Sequence, residues 1–181
     1  PQRRHPIMAE QLEWIHAYLF RVFPEADAAA LWAMIVLAWH FLLRSAEYLI
    51  RLGVDGAWER ALHGTDVQPR RNGASVASFL EADEVVAYIK GGKTDQLNGG
   101  TTRNHHALGG LLCPVAAMAR YYRSFPGRLK EDAPLARYND GKPILREHIQ
   151  DILELATTAT GGDAGRIGSH SLRIGGATAL Y

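Results

Sequence analysis

The sequence predicts a mainly α-helical domain with a small antiparallel β-sheet inserted near its middle, an α+β fold. Three observations carry that expectation. Apolar residues recur at helical spacing toward both ends of the chain, as in Leu12, Ile15, Leu19 and Val22. Between residues 64 and 110 the character changes to β-branched, aromatic and turn-forming residues. The chain has 181 residues with 47% hydrophobic content, which suffices for one compact core.

The elements follow in order. Met8 to Phe23 reads as an amphipathic helix closed by Pro24, with Glu10, Gln11 and Arg21 on its wet side. Asp27 is the expected N-cap of a second helix running to about Leu43. That helix is apolar nearly all round, as a central helix would be. Ser45 to Leu52 reads as a short third helix ended by Gly53. EVVAYIK (Glu84 to Lys90) and TTRNHHALGG flank the loop GGKTDQLNGG and form a hairpin, and the segment before Pro69 offers a third strand. Helices return at Pro114 to Phe125, at Arg146 to about Thr160 and from Ser171 onward, with a turn at Asn139-Asp140-Gly141.

Composition narrows the function classes. Twenty basic against 19 acidic side chains leave a formal net charge of +1, so a nucleic-acid partner would require clustered basic residues. The single cysteine, Cys113, rules out an internal disulfide framework and fits a reducing, intracellular setting. The longest apolar run, Ala28 to Leu43, falls short of the ~20 residues that cross a bilayer and ends on Arg44, so no membrane partner is expected. The start, PQRRHP, lacks a signal sequence and an initiator Met, and reads as an excerpt from something longer.

Four side chains stand out as chemistry. In GSHSLRIGGATAL, His170 and Arg173 are one helical turn apart and face one way, so both can reach a single anion. A capping histidine and a surface arginine are the plainer alternative, but Gly168 and the Gly175-Gly176 pair imply a close approach by another element or a ligand. Arg44 follows the apolar helix directly in FLLRSAEYL, with Glu47 three residues on to orient it or simply to pair with it. Lys93, in YIKGGKTDQ, sits on the hairpin loop, and Lys90 competes for any role given to it. A phosphate-loop reading of GKT fails because the glycine it needs is Ala87. His105 and His106 are adjacent on a strand, face opposite ways and cannot share a metal, so no metal site is expected. Two arginines, a lysine and a histidine together suit a phosphodiester, with bidentate guanidinium–phosphate pairing and a lysine that can protonate a departing oxygen.

This ordered set resembles the catalytic domain of the tyrosine recombinase (phage integrase) family. FLLRSAEYL is similar to the family's first arginine box, GGKTDQ to its β-hairpin lysine and GSHSLRIGGATAL to its His-x-x-Arg box; LCPVAAMARYY is similar to the helix after its sheet. The resemblance spans roughly Arg4 to Leu180 and implies the family's DNA breaking-rejoining fold. It implies Arg44 and Arg173 as phosphate clamps, Glu47 as an acidic companion, Lys93 as general acid to the 5′-oxygen and His170 as the proton-handling or phosphate-bonding residue. No cofactor is implied. The implied partner is double-stranded DNA, in an intracellular location, with a tetramer on two duplexes in an intact relative.

Two departures matter. The family's third box and its nucleophilic tyrosine normally lie further downstream, and the N-terminal core-binding domain is missing. Tyr181 is only eight residues past Arg173, and on a continuing helix it is rotated off that residue's face. Residues 1–181 are therefore expected to be a catalytic domain incomplete at its C-terminus, with no nucleophile in this chain and no cleavage by this fragment. Self-association through an uncovered apolar groove is a further expectation. The alternative is a non-catalytic DNA-binding or assembly module that kept the fold.

Overall fold

The computed structural model describes residues 4–90 and 99–179. Its centre is a helix, α2 (Glu25–His40), in which every residue from Ala28 to Trp39 is buried. Around it pack α1 (Ala9–Val22), α5 (Pro114–Ser124) and α7 (Ser171–Ala179), while α6 (Arg146–Ala159) lies against α1. α1 turns Leu12, Ile15 and Leu19 inward, and α6 does the same with Ile149, Ile152, Leu153 and Ala156. Both follow the 3.6-residue period that their sequences show. No described helix is long and apolar enough to cross a membrane.

The boundaries of α2 differ from the sequence expectation at both ends. The helix starts at Glu25, so Asp27 lies in the first turn instead of capping it, and its Oδ1 accepts a hydrogen bond from the Asn139 amide at 2.7 Å. A long-range partner thus takes the carboxylate that local capping would have used. At the other end the helix stops at His40 rather than Leu43. The Leu43 amide donates back to the Ala38 carbonyl at 3.0 Å and Leu42 is left-handed, with φ 55°, which is a helix-terminating wrap usually built on glycine. The third helix is also shorter than expected. α3 is one turn, Ser45–Tyr48, after which Leu49 is extended, and a second short turn, α4 (Ala57–Arg60), follows Gly56.

The sheet has four antiparallel strands in the order β2-β1-β3-β4: β1 (Val67–Arg71), β2 (Ala74–Ser75), β3 (Glu84–Ile89) and β4 (Thr101–His106). The expected hairpin pairs Ile89 with Thr101 and Glu84 with His106. The third strand runs through Pro69 instead of stopping before it. Pro69 is tolerated because its carbonyl accepts from Val76 at the end of the two-residue β2, so its missing N–H faces the side where pairing ends.

α7 is placed by its glycines. A Cβ on Gly175 would lie 1.8 Å from the Ile7 carbonyl oxygen and 2.9 Å from Trp39 Nε1, and one on Gly176 would lie 2.0 Å from the Trp39 carbonyl oxygen. The gap left by the missing side chain at Gly175 is filled by a buried hydrogen bond, from Trp39 Nε1 to the Ile7 carbonyl at 3.0 Å. The chain ahead of α1 braces the loop ahead of α7 as well. His5 donates to the Arg166 carbonyl and Ile7 to that of Ser171, each at 3.0 Å, and Arg4 Nη1 donates to the Ile167 carbonyl at 2.7 Å. Of the two occupants that the glycines implied, another element or a ligand, the structure holds the first.

Gly175→Ala is therefore expected to lower the unfolding free energy by about 3 kcal/mol, the upper range for overpacking a tight core. Urea unfolding measures it. Gly127→Ala is the control: its φ of −80° suits any residue, nothing lies within 4 Å of an added Cβ, and its effect should stay below about 1 kcal/mol.

Candidate functional site

An open cavity of about 560 Å³ is lined by Arg44, His170, Arg173, Ile174, Ala177 and Thr178. Three of the four residues singled out in the sequence, from opposite ends of the chain, thus share one concave surface. Among the described residues no carboxylate lines it. The fourth residue, Lys93, lies outside the described residues, as does Tyr181.

Arg44 sits where the chain leaves α2 and enters the single turn of α3. Glu47 holds it twice: Oε2 accepts from the Arg44 amide at 2.7 Å and Oε1 from Nη1 at 3.1 Å. The arginine side chain is 47% exposed, so this pair contributes little to stability and acts mainly to fix direction. The Nε and Nη2 groups keep no protein partner among the described residues, which leaves one edge of the guanidinium fork open toward the cavity. The two bonds pin the arginine and leave it donors to spare among the described residues.

His170 ends the loop before α7, and its carbonyl accepts from the Ile174 amide at 2.9 Å. Its ring is exposed and has no partner among the described residues. Arg173 is half-buried on the next turn, and its guanidinium has no acidic or carbonyl partner there either. Among the described residues the Arg173 guanidinium therefore keeps its donors free beside the cavity.

Lys90 is tied elsewhere. Its Nζ lies 3.0 Å from Asp66 Oδ2 and donates to the Ala61 carbonyl at 3.2 Å, and it does not line the cavity. That pairing makes it an anchor for β3. The tyrosines offer no attacking group among the described residues lining the cavity. Tyr48 and Tyr121 are buried, and burial pushes both phenols up, further from the phenolate form. His105 and His106 face opposite ways as expected: His105 turns inward, while exposed His106 lies 4.0 Å from Glu84. Among the described residues there is no group of three metal-ligating side chains.

The sequence reading missed the supports of Arg44. At the end of α2, the carbonyls of His40 and Phe41 have no helical partner. Two residues on one face of β4 satisfy them. His105 Nε2 donates to the His40 carbonyl at 2.8 Å, and Arg103 Nη1 donates to that of Phe41. His40 in turn donates through Nε2 to the Leu112 carbonyl at 2.7 Å. The sheet therefore clamps the helix end from which Arg44 departs. The only sequence signal was the i, i+2 spacing of Arg103 and His105, which puts both on one side of a strand.

No family model matches the chain, and no curated protein matches it. The site therefore rests on its own geometry.

Burial lowers the pKa of both His40 and His105 from the ordinary value of 6.5, more than their carbonyl bonds raise it. The sign follows from linkage. The unfolded chain takes up these protons near pH 6.5 while the folded protein resists, so the stabilisation is present above about pH 6.5 and is lost as pH falls below it. Urea midpoints are expected to drop between pH 7 and pH 5.5. A His40→Gln, His105→Gln double variant should flatten that slope.

Proposed function

We propose that this chain is the phosphodiester-holding catalytic domain of a DNA strand-transferring protein of the tyrosine recombinase type. The observation that carries the proposal is the convergence of Arg44, His170 and Arg173 on one open cavity, with donors of each left unpaired among the described residues. The mixed fold, helices around a four-stranded antiparallel sheet, is compatible with it.

In this reading the two guanidinium groups grip the non-bridging oxygens of one phosphate. Their charge counts most as negative charge grows on phosphorus in a five-coordinate transition state. Glu47 keeps the Arg44 fork in register. His170, at the rim, donates a hydrogen bond to the same phosphate or passes a proton. Lys93 would protonate the departing 5′-oxygen, a role carried by the family resemblance alone. Among the described residues of the cavity no tyrosine takes the family's attacking position, so the role proposed for these residues is to hold the phosphodiester.

The test is duplex DNA binding as a function of salt. Each neutralised phosphate adds a slope of about −0.9 to log K against log salt. Arg44→Ala and Arg173→Ala should each weaken binding about tenfold or more, the loss of a charge-assisted hydrogen-bonding group, with melting temperatures unchanged. Affinity indifferent to salt, or variants that bind like the wild type, would overturn the reading. A covalent adduct on a nicked suicide substrate would overturn the expectation of binding alone.

A further inference from the structure

Beside the clamp lies a smaller notch, about 10 Å³, between α3, the start of α6 and the loop before α7. That is room for roughly one oxygen-sized probe. Its floor is built by Tyr48, Leu49 and Leu172, each no more than 2% exposed. Its polar lining includes Ser45, Ser169 and Arg146. None of these three side chains makes a hydrogen bond or ion pair among the described residues. Arg146 is half-buried, and its guanidinium keeps its donors free among the described residues, beside the two hydroxyls.

Position links the notch to the clamp. Ser45 follows Arg44 and Ser169 precedes His170, so each hydroxyl-bearing residue is one Cα step, about 3.8 Å, from a clamp residue. Leu172 in the floor likewise adjoins Arg173. The notch is too small for a base or a sugar, and suits a single anionic oxygen seated between two hydroxyls and a guanidinium.

We infer that Arg146, Ser45 and Ser169 form a second phosphate subsite, for the backbone phosphate next to the one gripped between Arg44 and Arg173. This inference rests on the DNA reading above. It extends the contact from one phosphate to two consecutive ones, which fixes the strand's direction as well as its position. Phosphate contacts of this kind set register without reading bases.

The experiment is salt-dependent binding of the full chain to a duplex of fixed sequence. Arg146→Gln should make the slope shallower by about 0.9, one phosphate's worth, and weaken binding about tenfold. Arg146→Lys should restore the slope with part of the affinity. The Ser45→Ala, Ser169→Ala double variant should weaken binding about threefold at unchanged slope, since neutral hydroxyls release no counterions. Arg21→Gln, an exposed arginine lining neither cavity, should change nothing. The Arg146→Gln, Arg173→Ala pair should lose the two slopes additively. If the pair loses no more than Arg173→Ala alone, both arginines serve one phosphate and the second subsite is wrong. If the wild type binds with its full salt slope and Arg146→Gln matches it, the subsite falls and the DNA reading stands. If the wild type shows no salt-dependent binding, both fall.

Discussion

The contact on which the rest depends is the meeting of Gly175 with the Ile7 carbonyl and the Trp39 indole. Three separate parts of the chain converge at that point: the segment before α1, the end of α2 and the middle of α7. With no side chain in the way, the Trp39 hydrogen bond and the backbone of α7 share a space that one methyl group would close. The Ile7 amide also donates to the Ser171 carbonyl at the start of α7, and the two glycines let the helix come close enough to keep that bond, so the turn bearing His170 and Arg173 is held beside α2. Arg44 leaves that same helix a few residues after Trp39. The placing of Arg173 relative to Arg44 thus depends on how closely α7 packs against Ile7 and Trp39.

Arg44 is fixed by a different means. The end of α2 is closed by a left-handed Leu42 and by two side chains reaching across from β4. A non-glycine residue in that conformation costs on the order of 1–2 kcal/mol. Here Leu42 keeps its side chain half-buried, and a Cβ on Gly176 would come within 2.7 Å of its Cδ2. The leucine packs where glycine would leave a hole. Backbone strain, the Gly176 gap and the β4 donors are therefore one arrangement, joining the sheet to the arginine through the end of a buried helix.

Much of this was legible in the sequence. Helices α1, α5 and α6 announce themselves by apolar spacing, and the hairpin by its change of residue character. Local signals failed where a distant partner decided the outcome. Asp27 looks like a cap, but the amide of Asn139 claims it. Ser45 to Leu52 has helical composition, yet the run breaks after Tyr48 as the buried Leu49 turns extended. Pro69 looks like the end of a strand because the short β2 beyond it cannot be seen from residue types alone. In the site, the arginines and His170 were legible because cations and a histidine among glycines and apolar residues are conspicuous. Arg103, His105 and Arg146 were not, since each gains meaning only from what faces it across the fold.

The hydrogen bond between Ile7 and Ser171 has a consequence for synthesis. It closes nearly the whole described chain into one loop, and Arg44 is separated from His170 by most of the same length. Contacts so distant in sequence form late, because the entropy of closing the loop comes before any reward. On the ribosome α1 and α2 can pair as soon as they emerge, but α2 keeps an open flank until α7 arrives. A nascent chain would carry Arg44 without an opposing arm until His170 and Arg173 had been made. The cavity between Arg44 and Arg173 would be complete only when the first and last described segments meet.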